Sequence, residues 1–116
     1  MKEIKRLEDK LRSYHEQDRK KGRLHFVHFH NIECYLHQNI TITELVALLE
    51  RDGLNCYLCG FPTKIIARPF DPKQLTLDRL DNSVCHSRSN VKIACLTCNK
   101  LRGNNYTSST FKSTFF

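Results

Sequence analysis

Four of the six cysteines stand as two Cys-x-x-Cys pairs, Cys56-Tyr57-Leu58-Cys59 and Cys95-Leu96-Thr97-Cys98. A two-residue spacer lets both sulfurs of a tight knuckle face one ion at about 2.3 Å, so two such pairs predict a single tetrahedral Cys₄ zinc site. Gly60 follows the first pair, where a knuckle needs a residue that tolerates positive φ. A redox dithiol would predict one pair beside a βαβ pattern, not two matched pairs. A disulfide framework would need an oxidising compartment, and the charged start from Met1 to Lys10 does not read as a secretory leader. A reducing, intracellular setting is therefore expected, with Cys34 and Cys85 as unpaired thiols. Between and just after the pairs lie Leu77-Asp78-Arg79-Leu80-Asp81-Asn82, Asn90 and Asn99, whose carboxylates and amides can bind oxygen-seeking cations and whose arginine can bind phosphate.

A chain of 116 residues makes one domain with a modest core. In small metal-dependent folds a structural zinc contributes about 10–16 kcal/mol of binding free energy, so removing it should unfold the C-terminal half. No apolar run approaches the roughly 20 residues that span a bilayer, and a soluble protein with no membrane partner is expected. The formal charge of +7 is unevenly placed. Residues 1–59 carry ten Lys and Arg against nine Asp and Glu, whereas residues 60–116 carry nine against three. The excess surrounds the cysteine module. Phosphate backbones reward such a surface through counterion release, although a solvated basic face has the same composition.

The elements that must position these residues follow from local signals. Residues 1–21 read as a helix, with Ile4, Leu7, Leu11 and Tyr14 at three- and four-residue steps and Gly22 as its stop. Its mixed charges suit either pairing with a second copy, giving a homodimer, or packing back on its own chain. Leu24 to Leu36 follows no single period, and His25, His28, His30, Cys34 and His37 match no strong metal template, so packing among aromatics is the expectation. Thr41 and Glu44 form a capping-box pattern, Leu45, Val46, Leu48 and Leu49 an apolar face, and Gly53 a C-cap. Phe61 to Lys73 holds all three prolines, with Ile65-Ile66-Ala67 read as a short strand. Gln74 to Leu80 and Val91 to Ala94 read as strands, Asp81-Asn82-Ser83 as a turn, and Thr97 to Arg102 as a helix ending at Gly103. Thr107 or Ser108 would cap a last helix carrying Phe111, Phe115 and Phe116. A helical arm over 1–40 and a zinc-bound domain over 41–116 are the expected division.

The order Cys-x-x-Cys-Gly, Leu-Thr-Leu-Asp-Arg-Leu-Asp-Asn, Ser-Asn-Val and Cys-x-x-Cys-Asn-Lys-x-Arg-Gly, over roughly residues 41–105, resembles the HNH endonucleases of the ββα-metal fold. The likeness is to their zinc-stabilised branch and its "DRIDN" variety from phages and large viruses. The resemblance implies an α+β, treble-clef-like module that hydrolyses DNA phosphodiesters, with RNA as a second possible substrate. It implies that Asp78 and Asn99 hold a catalytic Mg²⁺ or Mn²⁺, apart from the structural zinc, and that Asn90 orients the base and fixes the loop. One position departs from the family pattern. Arg79 stands where the base His is usual, and a guanidinium does not deprotonate water at neutral pH but can clamp a phosphate. Either His86 or Asp81 then takes the proton, or metal-bound hydroxide attacks with no protein base. Arg79, Arg88, Lys92, Lys100 and Arg102 are expected on the nucleic-acid backbone, and Asp78→Ala is expected to end cutting while the fold survives. The alternative is a catalytically silent zinc module that binds nucleic acid through its basic half. A third reading, a zinc-stapled protein-interaction domain, predicts weak DNA binding even at low salt.

Overall fold

The structure, a computed structural model, describes residues 2–24, 39–81 and 85–103. Helix α1, Lys2–Leu24, runs through Gly22, so that glycine does not end it. A single glycine costs a helix only about 1 kcal/mol, which tertiary packing readily overrides. Along one face Leu7, Leu11 and Asp18 are buried and Tyr14 partly so, at steps of four, three and four residues.

Helix α2, Ile42–Asp52, begins at Thr41 with both bonds of the capping box formed: Thr41 Oγ1 accepts from the Glu44 N–H, and the Glu44 side chain accepts from the Thr41 N–H. It ends at Gly53, whose φ of 78° is the left-handed backbone expected of a C-cap glycine. Leu45 and Leu48 point inward.

Strands β1, Leu75–Arg79, and β2, Val91–Cys95, form a two-stranded antiparallel sheet, with Leu75 opposite Cys95, Leu77 opposite Ile93 and Asp78 opposite Lys92. A 3₁₀ turn over Arg88–Asn90 feeds β2. Helix α3, Leu96–Arg102, follows β2 with no intervening loop and closes with the Gly103 N–H donating to Asn99 O at 3.0 Å. The fold is a small α+β arrangement. Leu7 and Leu11 of α1, Ile40 just before α2, Leu45 and Leu48 of α2, and Leu75, Leu77, Val91 and Ile93 of the sheet make one core, so α1 packs into the assembly that supports the strands.

The short strand expected at Ile65-Ile66-Ala67 does not form; only isolated bridges pair Lys64 with Gln74 and Asn55 with Pro62. Prolines at 62, 69 and 72 remove the donors a ladder needs. The histidine-rich stretch, Asn82 and Ser83 of the expected turn, and the expected last helix lie outside the described residues. Among the described residues no helix is long and apolar enough to cross a membrane.

Candidate functional site

The first knuckle is built by backbone bonds. The Cys56 N–H donates to Phe61 O at 2.8 Å, the Gly60 N–H to Cys56 O at 2.9 Å, and Gly60 takes φ 83°, the conformation for which a glycine was expected there. The Tyr57 N–H donates to Ile93 O at 2.9 Å and ties the knuckle to β2. The second knuckle is the β2–α3 junction, where Cys95 caps α3 and its Sγ accepts from the Cys98 N–H at 3.4 Å. One ligand atom from each of Cys56, Cys59, Cys95 and Cys98 lies within 4.8 Å of the others. The edge of a tetrahedron with metal–sulfur bonds of about 2.3 Å is about 3.8 Å, so the cluster is compatible with a thiolate-bound metal such as zinc. All four sulfurs are unbridged. Burial pushes the Cys95 and Cys98 thiols up, and the neighbouring sulfurs add to this. At Cys56 burial acts in the same direction, but N–H donors from Cys59, Cys95 and Leu58 outweigh it and lower its pKa. Four thiolates this close repel one another strongly, and a divalent cation is the ordinary means of holding them ionised together.

Cys85 is disulfide-bonded, which corrects the expectation of an unpaired thiol there. The expectation rested on compartment alone, and spacing along the chain carries no signal of which thiols meet in space.

Beside the sheet lies a cavity of about 210 Å³ lined by Tyr14, Gln17, Leu77, Asp78, Arg79, His86, Asn99 and Gly103. It brings together Asp78, Arg79, His86 and Asn99, four of the five residues expected to carry chemistry. The fifth, Asn90, stands behind it. Its Oδ1 accepts from the Asp81 N–H at 2.9 Å, and its Nδ2 donates to Asp81 O at 3.0 Å and Cys85 O at 2.9 Å. These bonds close the loop that delivers His86.

Asp78 is buried, 3% exposed, and already partnered. Arg102 donates from Nε to Oδ2 at 2.7 Å and from Nη2 to Oδ1 at 2.8 Å, while the Tyr57 hydroxyl donates to Oδ2 at 2.5 Å. The bond to Asp78 raises the Arg102 pKa further, and Arg102 Nη2 also donates to Arg79 O. Arg102 was expected to grip nucleic acid; at 1% exposure it is instead the internal counter-ion of Asp78. The physical reason is the cost of an unpaired buried carboxylate, which a bidentate guanidinium offsets best.

A carboxylate has about four lone-pair sites, and among the described residues one on Asp78 Oδ1 carries no hydrogen bond. Asn99 Nδ2 donates to Thr76 Oγ1 at 2.9 Å, and that hydroxyl donates in turn to Ala94 O at 2.7 Å. Thr76 must therefore accept from Asn99, which fixes the amide and leaves Asn99 Oδ1 without a partner among the described residues. One carboxylate lone pair and one amide oxygen fit a hard cation that completes its shell with water and substrate phosphate, not one caged by protein.

His86, 6% exposed, is held by an acid that the sequence reading did not single out. Asp18 on α1 lies with Oδ1 2.9 Å from His86 Nδ1, and its Oδ2 accepts from the His86 backbone N–H at 2.9 Å and from Asn39 Nδ2 at 2.5 Å. The rings of Tyr14 and His86 sit 4.5 Å apart between centroids. Asp18 did leave a trace in the sequence, since it continues the Leu7, Leu11, Tyr14 stripe and is an acid on an apolar face. Of the other basic residues, Arg88 and Lys92 line a second groove of about 620 Å³ with Arg51 and Glu44, and Lys100 Nζ stands 5.4 Å from the Phe70 ring centroid. That groove is larger but lacks an acid–histidine pair or an unpartnered amide, so the smaller cavity is the better candidate for chemistry.

No family model, curated protein or solved structure matches the chain, and the functional reading stands on these residues themselves.

Proposed function

We propose that the protein is a metal-dependent endonuclease of the zinc-stabilised ββα-metal type, acting on DNA phosphodiesters. The observation that carries this reading is the convergence of Asp78, Arg79, His86 and Asn99 on one cavity. In it, zinc on Cys56, Cys59, Cys95 and Cys98 staples the first knuckle to the start of α3. Asp78 and Asn99 would hold Mg²⁺ or Mn²⁺ together with the substrate phosphate. When bound, that cation supplies charge neutralisation at the scissile phosphate and at the departing 3′ oxygen. Arg79 contacts the phosphate. His86, whose Nε2 has no hydrogen-bond partner among the described residues, removes the proton from the attacking water. Arg88, Lys92 and Lys100 supply sequence-independent backbone contacts.

A specific observation favours a second reading, a module that binds nucleic acid without cutting it. Asp78 is already compensated by Arg102, and an adjacent guanidinium lowers the affinity of a carboxylate for a cation. Plasmid nicking by zinc-loaded protein, with and without added Mg²⁺ or Mn²⁺, separates the two. The nuclease reading expects nicking that needs the added metal, together with DNA binding that weakens steeply with salt. Salt-sensitive binding with no nicking under any divalent metal would leave the binding module as the better account.

A further inference from the structure

We infer that Asp18, on the N-terminal helix, is the positioning residue of the site: it holds His86 in the one tautomer that leaves Nε2 basic at the cavity. The catalytic consequence rests on the nuclease reading above, while the tautomer follows from geometry alone.

Asp18 is 1% exposed and lies within hydrogen-bond distance of three donors. Two of them, the His86 backbone N–H and Asn39 Nδ2, converge on Oδ2, and Nδ1 of His86 lies 2.9 Å from Oδ1 and 3.0 Å from Oδ2. An ionised carboxylate can only accept, so Nδ1 must carry the hydrogen, and in the neutral ring the lone pair is then on Nε2. The ring cannot easily turn away. The Ile40 N–H donates to His86 O at 2.7 Å, Asn90 holds the preceding carbonyl at Cys85, and Tyr14 packs on the ring. What remains is a buried imidazole nitrogen with no partner among the described residues, on a side chain that lines the cavity also lined by Asp78, Arg79 and Asn99. A buried polar atom left unpaired is costly, and general-base work is a use for it.

In the step this arrangement supports, the attacking water gives one proton to Nε2 as its oxygen bonds to phosphorus. The bond from phosphorus to the 3′ oxygen breaks, and that oxygen leaves with the electron pair and takes a proton from solvent. Asp18 stabilises the imidazolium until it returns its proton to solvent. The base thus comes from the loop before β2 and its orienting acid from α1, neither of which contributes to the zinc knuckles.

Asp18→Asn tests this with little change of shape. The two donors on Oδ2 select the amide oxygen for that position, which turns the amide NH₂ toward Nδ1. An Nδ1–H would then face the amide NH₂ at the nearer position, so Nδ1 is favoured as the acceptor and the proton moves to Nε2. The expected result is a kcat for plasmid nicking lowered by about 10²- to 10⁴-fold with KM and zinc content unchanged. Nitrogen-15 NMR of the imidazole should show Nδ1–H in the wild type and Nε2–H in the variant, with the His86 signals identified by their absence in His86→Asn. A wild-type ring protonated at Nε2, or an Asp18→Asn variant that cuts at the wild-type rate, would overturn the assignment. The expected tautomers in a protein that cuts no nucleic acid would overturn the catalytic role through failure of the nuclease reading, an outcome distinct from failure of the pair itself.

Discussion

Removing the metal from Cys56, Cys59, Cys95 and Cys98 is expected to abolish cooperative thermal unfolding of the protein. Among the described residues the core that α1, α2 and the sheet share contains nine buried apolar side chains, and a chain of this size has a modest core. Domains are typically stable by about 5–15 kcal/mol, and a structural zinc contributes about 10–16 kcal/mol, so the metal term alone can exceed the whole margin. Geometry says where the loss falls. The segment from Cys56 to Gly60 is held to the rest by the Tyr57 N–H bond to Ile93, the Tyr57 hydroxyl bond to Asp78 and the sulfurs. Without a cation, burial and mutual repulsion hold Cys95 and Cys98 protonated. Metal binding must displace those protons, so affinity should fall as pH is lowered, and chelators should act faster in mild acid. Melting followed by circular dichroism, before and after a chelator and again after zinc is restored, checks this. A transition unchanged by complete metal removal would contradict it.

Breaking the pair between Asp78 and Arg102 is expected to destabilise the fold by about 3–5 kcal/mol. Asp78→Ala leaves a guanidinium that is 1% exposed without its counter-ion, and Arg102→Met leaves Asp78 and the Tyr57 hydroxyl facing an apolar chain. Removing both charges together, as Asp78→Asn with Arg102→Met, should recover much of the loss, because the cost lies in the orphaned charge and not in the absence of the pair. Urea denaturation of the two single variants and the double variant measures the coupling. This revises the meaning of Asp78→Ala. From sequence it is a clean catalytic knockout, but with Arg102 in place, loss of cutting would also follow from loss of fold.

The parts of this architecture that were legible in the sequence are those written within a few residues. Thr41 and Glu44 announce a helix start three residues apart, and Gly53 and Gly60 mark backbone that other residues rarely adopt. The alternation of Leu75 and Leu77 against Val91 and Ile93 defines the inward face of the sheet. Four of the residues expected to act together do share one cavity. What stayed hidden is every pairing made by folding. Arg102 meets Asp78 across 24 residues, and His86 meets Asp18 across 68. Charge counting places Arg102 on the surface because arginines usually lie there, and only the burial of Asp78 forces it inward. The bridge at Cys85 was hidden for the same reason, since no local pattern reports it.

His86 offers a cleaner probe of the chemistry than Asp78. Asparagine places its Nδ2 where His86 presents Nδ1, so His86→Asn can keep the bond to Asp18 while deleting Nε2. The most direct measurement is single-turnover nicking of supercoiled plasmid by zinc-loaded wild type and His86→Asn in Mg²⁺, with melting and DNA affinity measured on the same samples. Cutting by the wild type is expected, with a rate at least about 100-fold lower in the variant and with affinity and melting unchanged. Equal rates, or no cutting by either protein with any divalent metal, would contradict it.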